Sequence, residues 1–162
     1  MPGPRSKNSV VEREIRVEAA PETVFPYFTD PQKMVRWMGV GATLDPRPGG
    51  VFSVNMVKDY FMEGEYLVVD PYRRVVFTWG YGFLPDDSNP LPPGSSTVEV
   101  TLVPEGQGTL VRLRHRVPVD LIEFHAMGWE NYLDRLVIVA GGGDPGPDPF
   151  IEVVRSMLAW IE

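Results

Sequence analysis

Two histidines, His115 and His125, are the side chains best suited to moving protons near neutral pH in this chain of 162 residues, which contains no cysteine. An imidazole titrates close to neutrality, so either ring could serve as a general base, a proton shuttle or a hydrogen-bond anchor. Without a thiol there is no cysteine nucleophile, disulfide framework, iron–sulfur cluster or thiolate zinc site. A third histidine for a His-rich zinc site is missing, and neither H-E-x-x-H nor G-x-S-x-G occurs. The glycines Gly141 to Gly143 are not followed by the Lys-Ser/Thr of a phosphate loop, and Gly39-x-Gly41 precedes a strand pattern rather than a helix. No metal site, no cofactor and no recognisable catalytic constellation are therefore expected. His115 and His125 remain the only catalytic candidates.

Charge and composition narrow the partners. The formal net charge is −7, with most of the acidic excess after Pro118, and this opposes the basic surface that nucleic-acid phosphates require. No run of about 18 apolar residues is available for a membrane span, and Met1 to Val10 lacks the apolar core of a secretory signal, so a cytoplasmic location is expected. Hydrophobic residues make up 43% of the chain, including 4 Trp, 6 Tyr and 8 Phe, which is ample for one core. The 17 prolines and 16 glycines indicate many sharp turns.

The elements that must position the histidines follow from periodicity. Val10–Ala19 alternates apolar and charged residues as a half-buried strand does. Pro21 and Glu22 open a short helix, and a second follows over Gln32–Met38, capped by Thr29 or Asp30 and stopped at Gly39 and Gly41. Six more strands are expected at Ala42–Pro46, Val51–Val57, Tyr60–Val69, Arg73–Trp79, Thr97–Val103 and Thr109–Val117. Their short separators imply antiparallel pairing, apart from the long Pro-rich loop from Gly80 to Ser96. A helix over Val119–Ala140, capped by Asp120, carries an apolar stripe through Ile122, His125, Trp129, Tyr132, Leu136 and Val139. Residues 141–149 read as a Gly/Pro linker. Residues 150–162 form an accessory helix with Ile151, Val154, Leu158 and Ile161 on one side, leaving residues 1–140 as the main domain.

This order predicts an α+β fold, a curved seven-stranded antiparallel sheet around one long helix. A single helix, about 10–12 Å across, leaves part of such a concavity unfilled. A pocket between helix and sheet is the expected remainder. Strand alternation aims Phe52, Val54 and Met56 inward, with Tyr60, Met62 and Tyr66 on the next strand, then Phe77 and Trp79, while Arg112, Arg114 and Arg116 point out opposite Val111, Leu113 and His115. His115 and His125 then face one interior. The commoner fate of such a histidine is a hydrogen-bonded core residue; the sharper one is a pair of polar anchors on a pocket wall. Gly64 and Gly128 are read as sites of close backbone approach.

The motifs Pro21-Glu22-x-Val24-Phe25-x-x-Phe28-Thr29-Asp30-Pro31 with Trp37, Asp45-x-Arg47-Pro48-Gly49-Gly50, Gly64-Glu65 with Pro71, Arg74 and Phe77-Thr78-Trp79, Gly108-Thr109-x-Val111-x-Leu113-x-His115, and His125-x-x-x-Gly128-Trp129 with Leu133 occur in that order. Together they resemble the activator-of-heat-shock-protein-90-ATPase homologue family of the START-like superfamily. The resemblance implies the helix-grip fold, also found in Bet v-like proteins, with a hydrophobic tunnel between sheet and helix. It further implies binding of lipids, sterols, hormones or polyketides, and in some relatives cyclase or hydrolase activity.

The leading expectation is a module that binds a small hydrophobic, aromatic or lipid-like molecule. Its wall would be Trp37, Phe52, Val54, Met56, Met62, Tyr66, Phe77, Trp79, Leu113, Trp129 and Tyr132, with His115 and His125 as orienting groups. One alternative is a cyclase/aromatase- or hydrolase-type enzyme with a pocket histidine as base and Tyr66 or Tyr132 as proton donor. Another is a co-chaperone-like interaction module acting through the outer arginines or the acidic tail. The Gly80 to Ser96 loop and the tail are expected to cover the pocket mouth or to mediate a homodimer.

Overall fold

The alternating segments pair as strands of one antiparallel sheet. They are β1 (Asn8–Val17), β2 (Gly41–Leu44), β3 (Val51–Val57), β4 (Tyr60–Asp70), β5 (Arg74–Trp79), β6 (Ser96–Glu105) and β7 (Gly108–Pro118). In the computed structural model, which describes residues 8–161, the order across the sheet is β1-β7-β6-β5-β4-β3-β2. The side chains of Asn8, Asp86 and residues 157–161 lie outside what it describes, and with them the expected places of Leu158 and Ile161 on the accessory helix.

Register follows from the buried face. Val111, Leu113 and His115 on β7 are buried, whereas Arg112, Arg114 and Arg116 between them are exposed. Pairing of β1 with β7 sets Glu14 beside Arg112 and Glu12 beside Arg114, with N···O separations of 2.7 and 3.7 Å. These exposed pairs contribute little, typically about 0–1 kcal/mol each, so apolar burial chooses the register and the charges decorate it. The register breaks at Asn55/Val57 in β3 and at Tyr66/Val68 in β4, the kind of irregularity that bends a sheet.

Two helical turns close one end of the concavity. Helix α1 (Pro21–Val24) opens on Pro21 and runs into a 3-10 turn, Phe25–Phe28. Helix α2 (Pro31–Met34) is capped by Asp30, whose carboxylate accepts from the Gln32 N–H at 2.9 Å. It ends four residues earlier than the apolar pattern suggests, because the chain turns there to bury Trp37 and Met38. The Trp37 indole donates to the Tyr27 carbonyl at 3.0 Å and the Tyr66 hydroxyl to that of Phe28 at 2.8 Å, which fastens this corner to the sheet.

The long helix α3 (Ile122–Ala140) begins with a 3-10 turn at Val119–Leu121. Asp120 does not cap it: Leu121 holds the cap position without a side-chain hydrogen bond, since the turn spends the first residues satisfying the backbone. Its buried face includes His125, Trp129, Tyr132, Leu133, Leu136 and Val139. After the linker, α4 (Phe150–Ile161) returns and buries Phe150 and Val154 in the same core. Among the described residues no helix is long and apolar enough to cross a membrane, and no group of three or more His, Asp or Glu could hold a metal ion.

Candidate functional site

Pairing of β5, β6 and β7 places Trp79 opposite Ser96 and Val98 opposite His115, so one end of these strands carries a polar cluster inside an apolar face. The Trp129 indole lies 3.0 Å from His115 Nδ1. An indole N–H can only donate, so Nδ1 is the acceptor and Nε2 carries the ring proton. Nε2 then donates to Ser96 Oγ at 2.9 Å, and the serine hydroxyl donates to the Trp79 carbonyl at 2.6 Å. Burial first, and next the charge His125 would carry, hold His115 well below the ordinary imidazole range. His115 is thus a neutral ring with both nitrogens committed.

His125 has one nitrogen left. Its Nδ1 stands 3.0 Å from the Leu121 carbonyl, which can only accept, so Nδ1 is protonated and Nε2 presents a lone pair without a hydrogen-bond partner among the described residues. Burial lowers its affinity for a second proton, and the Leu121 carbonyl only partly opposes this. The two imidazoles stand 5.1 Å apart, edge to face, and Tyr81 from the Pro-rich loop stacks on His125 at 6.0 Å.

Beside His125 lies a cavity of about 30 Å³, roughly the room of one water molecule. Its lining combines Met38, Met56 and Met62 with Tyr60, Trp79, Phe124, His125, Gly128, Trp129, Tyr132, Phe150 and Val154, with no charged side chain among the described residues. The Trp79 indole N–H is buried and has no acceptor among the described residues. Burial keeps the Tyr60 hydroxyl protonated, with its pKa pushed well above the usual phenol range. Such a wall can hold an uncharged ring system, and two polar groups on its lining residues lack partners among the described residues, the buried Trp79 indole N–H and His125 Nε2.

Of the wall expected from strand alternation, Met56, Met62, Trp79, His125, Trp129 and Tyr132 line the cavity. Trp37, Phe52, Val54, Tyr66, Phe77, Leu113 and His115 are buried but serve as packing behind it, with Phe52 stacked on Phe77 at 4.0 Å. The expected space is largely filled, since Tyr81 and Leu91 of the Pro-rich loop and Phe150 and Val154 of α4 all join the core. Alternation already faces Tyr60 inward on β4. Met38 and Phe124 lie outside any clean period, and the docking of Phe150 and Val154 has no local signal beyond the amphipathicity of α4. The tyrosines considered as proton donors are occupied, Tyr66 by the Phe28 carbonyl and Tyr132 by Asp148 at 2.6 Å.

Comparison with known proteins agrees with this geometry. Residues 18–141 match the family model described as activator of Hsp90 ATPase homolog 1-like protein. An AHSA1-like protein of Rhizobium etli is 41% identical, with 89% of each chain covered and a TM-score of 0.68. CalU16 of Micromonospora echinospora is 27% identical over 96% of each chain, with a TM-score of 0.66. The Aha1 protein of Colwellia psychrerythraea, solved as a dimer, shares the fold at 16% identity and a TM-score of 0.68, over 83% of this chain and 99% of its own. No curated protein matches the sequence.

Proposed function

The chain belongs to the activator of Hsp90 ATPase homolog 1-like family, and on that premise we propose that it binds a small uncharged aromatic or lipid-like molecule between α3 and the sheet. The observation that carries this reading is a cavity wall with no charged side chain among the described residues, one of whose residues, Trp79, has a buried indole N–H without an acceptor. A buried donor left unsatisfied costs about 1–3 kcal/mol, which a ligand carbonyl or hydroxyl would recover. Methionines and aromatics around it supply adaptable apolar area.

The test is a melting-temperature and native mass-spectrometry comparison of the whole protein with uncharged ring ketones, their carboxylated analogues and the parent hydrocarbons. The ketones should bind and raise the melting point, the carboxylates should not, because no cation lines the cavity to pair with them. Trp79→Phe should weaken the ketones and spare the hydrocarbons. Absence of any adduct, or a preference for the carboxylates, overturns the reading.

A catalytic reading rests on the open Nε2 of His125, which could act as general base, and it has no such footing at His115. Turnover of a bound molecule that persists in His125→Gln would exclude that mechanism. A homodimer is supported by the open edge of β2, with Val40 just before it 61% exposed, and by the dimeric Colwellia relative.

A further inference from the structure

The accessory helix sits where a ligand would have to go. From Gly141 the chain turns back through Gly142 and Gly146, both at positive φ, and Arg135 of α3 holds the returning segment by donating to the Gly146 and Pro147 carbonyls at 3.0 and 3.3 Å. Asp148 then makes a three-way latch. Its carboxylate accepts from the Tyr132 hydroxyl at 2.6 Å, from the Asn131 amide at 3.0 Å and from the Phe150 backbone N–H at 2.8 Å, so one residue joins α3 to the first turn of α4.

Beyond the latch, Phe150 is 6% exposed and lies with its ring centre 5.5 Å from that of Phe124 and 5.8 Å from that of Tyr132. The Phe150 ring packs directly over Gly128, where an added Cβ would stand 3.4 Å from two of its ring carbons, a van der Waals contact. Val154, one turn on, is 2% exposed and lines the same cavity. What remains is about 30 Å³, whereas an apolar cavity that accepts a single benzene is roughly 150 Å³. With α4 docked the space left is smaller than such a ring, and one side of it is formed by an aromatic ring on a tethered helix.

Resting on the pocket reading above, we propose that the segment from Asp148 to Val154 is a self-ligand: Phe150 occupies the place of the bound molecule, which enters by displacing α4 about the Gly141–Pro149 linker once the Asp148 latch opens. Apparent affinity is then the intrinsic affinity multiplied by the fraction of chains with α4 released. Weakening the latch raises that fraction without altering the sheet wall.

The experiment uses the full chain as wild type, Asp148→Ala and Phe150→Ala, titrated with the uncharged fluorescent probe N-phenyl-1-naphthylamine, alongside amide hydrogen exchange. Asp148→Ala should bind about tenfold more tightly than wild type, the order expected for losing a charge-assisted latch, and Phe150→Ala at least as tightly. Amides of α4 should exchange ahead of those at Leu133–Val139 in wild type, and about tenfold faster again in Asp148→Ala, with Leu133–Val139 unchanged. Equal probe affinity in all three chains overturns the self-ligand and leaves the pocket standing. Weaker binding by Phe150→Ala makes Phe150 a wall rather than an occupant and also overturns it, as does exchange of α4 only together with α3. Independent opening of α4 with no probe bound by any chain overturns the pocket reading, and the self-ligand falls with it.

Discussion

A histidine is defined chemically by what its two ring nitrogens still have to offer, and on that measure His115 and His125 part company. His115 joins Trp129 to Ser96 and on to the Trp79 carbonyl, so its replacement strands the buried Trp129 indole N–H and leaves Ser96 only its bond to that carbonyl. His115→Phe should cost about 2–4 kcal/mol in urea unfolding; a loss below about 1 kcal/mol would mean that the chain of hydrogen bonds carries no net stability. Both histidines are held neutral by burial, whereas in the unfolded chain they titrate near the ordinary imidazole value of about 6.5. Below that pH the unfolded chain binds protons that the folded chain refuses, so protonation favours unfolding. Stability should be level above about pH 7.5 and fall below 6.5 by up to about 1.4 kcal/mol per pH unit for each histidine. Denaturant midpoints at about pH 7.5 and pH 5.5 measure the slope, which should roughly halve in His125→Leu. A slope indifferent to that change would remove His125 as a buried neutral base.

At the level of elements, the site depends on two close approaches made at glycines, of which only the first leaves no room for a side chain. Gly64 of β4 lies against the backbone of Thr78 in β5, so that an added Cβ would collide with the Thr78 carbonyl. The Thr78 hydroxyl meanwhile accepts from the Glu65 N–H at 2.9 Å, beside the irregularity that bends β4. Gly64→Ala must push the two central strands apart and should cost about 1–3 kcal/mol or more, read as a lower thermal midpoint. An unchanged midpoint would show that β4 and β5 can separate freely there. The second approach, Gly128 of α3 under Phe150, joins two helices rather than two strands. The sequence marked Gly128 as a place of close approach but not what approaches it, because the ring comes from 22 positions further along the chain.

On the scale of the whole molecule, the edges of the sheet and the segments outside the helix grip carry what is individual. One edge strand, β2, has only four residues, and Val40 just before it is exposed. If that edge mediates a homodimer, sedimentation should show a concentration-dependent dimer that Val40→Lys dissociates while leaving the fold intact; a dimer indifferent to the change places the contact elsewhere. The sequence by itself determined the strands, the inward faces of those from Val51 to Val117 and the meeting of both histidines in one interior, because periods of two and three-to-four are local properties of the backbone. It also placed turn chemistry at the Pro-rich loop and the Gly/Pro linker. Only the tertiary structure decided which nitrogen remains open, that Tyr81 from the loop stacks on His125, and that Phe150 fills the space a single long helix leaves. Those outcomes depend on donors, acceptors and apolar volume brought together across the chain, and no local pattern records which distant side chain will arrive first.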